Sequence, residues 1–299
     1  MANILCAGIA VLDEVFRVSA FPMPDTKVRA SEFITIGGGN AANAAVAIAR
    51  LGGKAYFAAP LGADAIGDRL IESLQHESVE CVGCVRVPGA RTPVSGIFVD
   101  ARGDRTIANY RDPRLNDATV DDPERLVAAM DAVLVDNRFP DFVVPICRAA
   151  LARRIPVVID ADKESDDRQP LFTAATHVIF SAQCLRATAR TDDLASGLAH
   201  MAKLTDAFLA VTDGPRPVLW YDRDGATIRE TPVFAIKAVD TLGAGDVFHG
   251  AFALAWIEGR GVEDALRFAA AAAGLKCSRF GGSATAPQRA EVEALLAQP

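Results

Sequence analysis

The sequence predicts an α/β fold organised around a mostly parallel sheet, and three observations carry that prediction. Short apolar runs of strand length alternate with amphipathic helical stretches along the chain. From Asp131 onward those runs are near-continuous in Val, Ile and Leu, the pattern of strands buried on both faces. The chain has 299 residues, 51% hydrophobic and 23% charged, which suits one large domain with a small appendage and requires no disulfide or metal staple.

Taken in order, strands are expected at 4–9, 55–59, 94–99, 106–110, 132–135, 157–160, 178–181, 208–212 and 218–221. Helices are expected near 41–51, 67–76, 124–129, 143–153, 193–204, 245–258, 262–278 and 288–297. Two stretches break this rhythm. Residues 15–36 and 92–110 alternate polar and apolar side chains, with a hairpin turn expected at Ala101-Arg102-Gly103-Asp104. Alternation implies one wet face, so these segments predict a small sheet outside the main core, placed as a lid. The domain reading is therefore one unit over 1–299, with a β lid at about 14–36 and 92–110. In open parallel sheets ligands bind beyond the carboxyl ends of the strands. The polar residues following strands are Asp13, 136–138, 160–164 and 212–214, and they are expected to converge on one sheet edge.

Charge and composition exclude several classes. A formal charge of −7 and pI near 5.2 argue against broad nucleic-acid binding, which needs clustered Lys and Arg. No apolar run is long enough to span a membrane, and the N-terminus lacks the basic lead-in of a signal peptide. Of six cysteines only Cys81 and Cys84 form a C-x-x-C pair, inside an apolar run (79–87) that reads as a strand. With no second pair and no thioredoxin-like context, that pair reads as packing, and reduced cysteines point to the cytoplasm.

The strongest motif is Val239-Asp240-Thr241-Leu242-Gly243-Ala244-Gly245-Asp246, leading into a helix of small residues. Two glycines allow a tight turn whose N–H groups point at one spot, and the helix dipole adds to that anion hole. Asp246 falls in the first helical turn beside it, where the dipole is expected to depress its pKa. In a loose phosphoryl-transfer transition state the acceptor proton need not leave early, so a weak base suffices there. The second motif is Ile36-Gly37-Gly38-Gly39-Asn40-Ala41-Ala42-Asn43, where bare backbone lets a ligand approach. Asn40 and Asn43 lie three apart at a helix start, placed for the same hydroxyls, although Asn40 equally fits an N-cap. Gly37-x-Gly39-x-x-Ala42 matches a relaxed dinucleotide fingerprint, but it does not follow the first core strand and no acidic residue ends the next one.

The two motifs, in this order and spacing, resemble the PfkB/ribokinase family of carbohydrate kinases, over a span from Ile4 to about Pro287. The resemblance implies a ribokinase-like three-layer core with a small β lid, and phosphoryl transfer from ATP with Mg2+ to a sugar. By the same likeness Asp246 corresponds to the catalytic base and Gly243, Ala244 and Gly245 to the anion hole. Asp13, Gly38 and Asn43 correspond to sugar-binding positions, Thr212 and Gly214 to the nucleotide-side Thr-x-Gly, and the stretch 273–282, with Cys277 and Gly281, to the adenine wall. A homodimer through the lid is a further implication.

Two positions depart from the family pattern. An Asn-x-x-Glu that many members carry is replaced by Ser181-Ala182-Gln183-Cys184-Leu185, which leaves Asp160, Asp162 and Glu164 as metal candidates. Pro217 stands where a glycine often follows Thr-x-Gly-x-x. Ketohexokinases show the same departures, and 6-deoxy-6-sulfofructose kinases resemble the segments 103–110, 246–251 and 275–279. In the latter a Lys, an Asn and an Arg hold the anionic end of the sugar, and Lys27, Asn109 and Arg138 match them here. Lys27 as a solvated lid residue, and Arg138 paired with Asp136 or Asp162, are the competing readings. The expected acceptor is C1 of a ketohexose or 6-substituted fructose, with ribokinase, 2-keto-3-deoxygluconate kinase and a non-catalytic sugar or nucleotide sensor as alternatives.

Overall fold

Nine of the strands form one sheet, in the order β15-β14-β13-β12-β11-β10-β1-β4-β6. The computed structural model describes residues 1–102 and 104–298; the turn expected at 101–104 includes Gly103, which lies outside the described residues. The strands of this sheet are β1 (Asn3–Ala7), β4 (Lys54–Ala58), β6 (Glu80–Cys81), β10 (Ala132–Asp136), β11 (Val157–Ala161), β12 (His177–Ser181), β13 (Phe208–Thr212), β14 (Val218–Asp222) and β15 (Thr227–Thr231). All neighbours from β6 to β13 are parallel, whereas β14 and β15 pair antiparallel at one edge. The continuous run expected at 79–87 is in fact two short strands, β6 and β7 (Val85–Val87). The latter pairs with β5 (Pro60–Gly62) in a separate two-stranded sheet.

Alternate residues of each strand feed opposite layers. Ile4 and Cys6 of β1 and Leu134 of β10 join one buried cluster, and Leu5, Ala7, Val133 and Val135 join the other. The first cluster is roofed by α1 (Asn40–Arg50), α2 (Ala65–His76), α8 (Ala244–Ile257), α9 (Val262–Cys277) and α10 (Arg289–Leu296). The second is covered by α3 (Pro123–Val127), α4 (Pro140–Ala152), α5 (Pro170–Thr173), α6 (Ala182–Ala189) and α7 (Leu194–Met201). Each Val, Leu or Ile so buried contributes ~1.5–3 kcal/mol before chain entropy is charged against it. Helix α6 was not expected. Its first turn is capped by the Ser181 hydroxyl, which accepts from Cys184 N at 3.2 Å.

Two helices meet unusually closely. A Cβ added at Gly250 of α8 would lie 2.6 Å from the Ala44 carbonyl oxygen of α1, so the contact tolerates only glycine there. The alanines of α1 and the small residues of α8 thus bring two helix starts side by side, and both starts carry the motifs.

A second sheet of four strands has the order β3-β2-β8-β9, from β2 (Val11–Arg17), β3 (Glu32–Gly38), β8 (Val94–Val99) and β9 (Arg105–Tyr110). Its two faces differ as the alternation predicts. Val15, Ile97 and Val99 are buried with Ile34, Ile36, Leu242 and Phe280, so this face packs on the Asp240–Asp246 loop. The opposite face stacks Phe16 on Phe33 and Phe98, with ring centroids 4.9 and 5.6 Å apart. The sheet begins at Val11 rather than 14, which puts Asp13 inside a lid strand and not at the end of a core strand. Among the described residues no helix is long and apolar enough to cross a membrane.

Candidate active site

Helix α8 starts at Gly243, which takes the left-handed conformation (φ 78°, ψ 4°). The Ala244 N–H turns back to the Thr241 carbonyl at 3.3 Å, while the amides of Gly243, Gly245 and Asp246 meet no acceptor among the described residues. Of the residues expected to form an anion hole, Gly243 and Gly245 keep free amides among the described residues, as does Asp246, whereas the Ala244 amide is engaged. A Cβ at Gly245 would meet no atom within 4 Å, so open space borders the loop at that residue. The site fits a phosphoryl group, whose charge such oriented N–H groups favour.

Asp246 lies at the junction of α1 and α8. Asn43 Nδ2 donates to its Oδ2 at 2.6 Å, a bond spanning 203 residues of sequence and set by the Ala44–Gly250 contact. The dipole does not decide its acidity. Burial in the cleft, reinforced by the negative charge of Asp160, pushes its pKa up to about 8, and Asn43 only partly opposes this. Asp160, at the end of β11, is itself raised to about 8, first by burial and then by Asp162. Asn40 is not the N-cap of α1, and its amide is turned to the end of β11. Gly39 caps α1, and Asn40 Nδ2 donates to Asp160 Oδ2 at 3.0 Å.

The strand ends converge as expected. Asp136 ends β10, fully buried, and accepts from Ile9 N (2.7 Å), Ala41 N (3.2 Å) and Arg138 N (2.9 Å), so it ties β1, α1 and β10 together. His249, one turn past Asp246, went unnoticed in the sequence. Its Nδ1 lies 2.6 Å from the Gly245 carbonyl and its Nε2 3.5 Å from Asp160 Oδ1, and burial lowers its pKa. A histidine at i+3 from Asp246 on the buried side of α8 was the available signal.

On the lid, Asp13, Ser95 and Asn109 form one cross-strand row over β2, β8 and β9. Asn109 Nδ2 donates to Ser95 Oγ at 3.1 Å, and Ser95 stands opposite Asp13, whose pKa burial raises to about 6. Gly38 packs flat against Asp13, since a Cβ there would lie 2.0 Å from Oδ2. Ser95, which joins the row, was legible only as one polar residue in an alternating strand.

Arg138 follows β10 and pairs with Asp162, while its Nε is buried with no partner among the described residues. Arg111 donates to the Arg138 carbonyl at 2.5 Å and lies 4.8 Å over the Phe139 ring. Burial and the Arg138 charge lower the Arg111 pKa, and Lys163 is lowered by burial, Arg111 and Arg138, so three cations crowd this end of the cleft. Lys27 sits on the exposed connection between β2 and β3 with no hydrogen bond or ion pair among the described residues.

Thr212 ends β13 with Oγ1 donating to the Phe180 carbonyl at 3.4 Å, and Gly214 (φ +59°) borders open space. Cys277 and Gly281 meet at Asp240. The Cys277 carbonyl accepts from Val239 N (2.7 Å) and Asp240 N (3.1 Å), and Gly281 N donates to Asp240 Oδ2 at 3.1 Å. Of the metal candidates, Asp160 faces the cleft, Asp162 is held by Arg138, and Glu164 is exposed. Among the described residues no three His, Cys, Asp or Glu side chains form a ready-made metal cage.

The chain belongs to the pfkB family of carbohydrate kinases, whose family model matches residues 1–289. It is an ATP-dependent carbohydrate kinase. It is 30% identical to the ribokinase of Bacillus subtilis over 99% of this chain and 100% of that one. It is 25% identical to the ketohexokinase of Mus musculus, over 93% and 97% of the two chains. A protein of Agrobacterium tumefaciens solved as a candidate ribokinase superposes with a TM-score of 0.94 at 36% identity, over 99% and 97% of the chains.

Proposed function

We propose that this kinase moves the γ-phosphoryl group of ATP to the C1 hydroxyl of a ketohexose, and that a 6-substituted, anionic fructose fits best. The observation that carries the proposal is Asp246, raised in pKa, held by Asn43 and placed beside the free amides of Gly243 and Gly245. In this reading Asp13, Gly38 and Asn43 hold the sugar hydroxyls, and Thr212, Gly214 and the 273–282 segment border the nucleotide. Asp246 accepts the proton of the C1 hydroxyl as the sugar oxygen attacks phosphorus and the bond to ADP breaks. The proton leaves with Asp246, and the amides balance charge on the transferring oxygens.

Mg2+ suits the donor set. Asp160 is crowded by Asp162 and Asp136, an excess of negative charge that a divalent cation relieves. Asp160 would hold it, with Asp162 beside it, and its chemistry there is to neutralise phosphate charge. The shortage of protein ligands is consistent with an ion held mainly by phosphate and water.

An anionic acceptor is favoured by the buried, unpartnered Arg138 Nε, together with Arg111 and Lys163. In this reading Asn109, in the Asp13 row, and Lys27, on the connection between β2 and β3, also contact the anionic end of the sugar. A coupled ADP-release screen over fructose, 6-sulfofructose, fructose 6-phosphate, ribose and 2-keto-3-deoxygluconate tests the reading. The expected order places an anionic fructose first; activity confined to ribose overturns it. The Phe16–Phe33–Phe98 face, with Phe33 52% exposed, is proposed to meet the same face of a second copy.

A further inference from the structure

Lys276 is completely buried, with 0% of its surface exposed, in the last turn of α9. An ammonium in such a place loses several kcal/mol of hydration and persists only when well bonded. Its donors converge on a single residue: Nζ lies 2.9 Å from the Asp240 carbonyl oxygen and 3.1 Å from Asp240 Oδ2. Gripping both the main chain and the side chain of one residue leaves that residue little torsional freedom.

Asp240 is also where three segments cross. Its Oδ1 accepts from Leu242 N at 2.9 Å, and its Oδ2 from Gly281 N and Gly282 N at 3.1 and 3.2 Å. Its own amide and that of Val239 bond the Cys277 carbonyl, the residue after Lys276. Downstream the loop is loosely tied, by the 3.3 Å Ala244–Thr241 bond and by Arg105 on Thr241, before it reaches the glycines at 243 and 245. The aim of the free amides therefore depends on the fixed point at Asp240.

We propose that Lys276 is a positioning residue for phosphoryl transfer, its buried ammonium clamping Asp240 so that the Gly243–Asp246 amides keep their direction. The inference rests on the reading of those amides and Asp246 given above. A purely structural lysine, sited for the helix dipole, would affect stability and leave turnover alone.

Lys276→Ala tests this, assayed well below its own Tm. A loss of about 30-fold or more in kcat is expected, with acceptor KM within about three-fold, as misplacement of a reacting geometry predicts. Methylammonium should restore kcat in the variant saturably and leave the native enzyme unchanged. A native kcat, or a loss that methylammonium does not touch, overturns the proposal. If Lys276→Ala does not fold, Asp240→Asn serves, keeping the lysine and the loop amides: a comparable fall in kcat supports the clamp and a native kcat refutes it. Asp246→Asn run alongside separates the two readings. Full activity in Asp246→Asn sinks the base assignment, whereas an inactive Asp246→Asn beside a fully active Lys276→Ala sinks only the clamp.

Discussion

The two ends of the cleft are built on opposite terms. At the end bordered by the 240–246 loop, Asp240 has both carboxylate oxygens occupied, its amide and carbonyl bonded, and a buried cation against it. At the opposite end burial raises the Asp13 pKa, Arg138 Nε has no partner among the described residues, and burial followed by neighbouring cationic charge lowers the pKa values of Arg111 and Lys163. A saturated network costs little and holds its shape; an unsaturated one waits for a ligand. On the proposed function, the saturated end meets a triphosphate common to all acceptors and the unsaturated end meets the sugar, which is not.

The largest effect expected is on the chemistry where the two ends meet. Asp246→Asn should lower kcat by about 10²–10⁴-fold while acceptor binding persists. Steady-state kinetics with separate calorimetric sugar titration checks both halves, and retained turnover would show that another group takes the proton. Next in size, Gly250→Val should force α1 from α8 and separate Asn43 from Asp246. Overpacking of this kind costs about 1–3 kcal/mol, so a lower Tm and a fall in kcat are expected together. A variant with native Tm and kcat would mean the helices yield without moving the site.

Smaller changes sharpen the sugar end. Arg138→Ala should raise KM about ten-fold or more for an anionic fructose and leave fructose nearly unchanged, since a charge-assisted bond contributes about 1.5–3 kcal/mol. Equal effects on both sugars would remove the anion-pocket role. Asp13 supplies a pH signature. Its pKa is raised to about 6, so above that pH it is ionised and accepts sugar hydroxyls well, and below it the group is protonated. Acceptor KM should therefore rise as pH falls through about 6 and be flat in Asp13→Asn. The smallest effect is on the outer lid face: Phe33→Asp should yield monomers by light scattering with kcat within about two-fold.

Legibility in the sequence followed how local each cause was. The core strands and α8 were readable because burial on both faces leaves unbroken apolar runs, and the Asp240–Asp246 motif because its glycines are needed by adjacent residues. The small second sheet was readable from alternation, although Asp13 was misplaced, since a strand from Val11 looks the same as the tail of β1. Helix α6 was hidden because only a serine cap and half a turn of apolar residues announce it. The dipole argument for Asp246 failed for a different reason. Its pKa is set by Asp160, 86 positions away in sequence, and by burial, neither of which a local motif contains. Asn40–Asp160, Ser95–Asp13 and Lys276–Asp240 escaped notice in the same way, as partners joined only by the fold.

The Asn43–Asp246 bond closes a loop of 203 residues, and its two residues belong to helices that pack closely where Gly250 meets Ala44. No contiguous fragment of the chain contains this pair without nearly the whole sheet between them. The Asn43–Asp246 contact is therefore of higher contact order than the pairing of β1 with β10. During synthesis the catalytic pair stays apart until α8 has emerged, so a nascent or truncated chain is inert by topology. The same long loop makes activity a sensitive reporter of global unfolding, because no locally stable unit can preserve the site once the rest has opened.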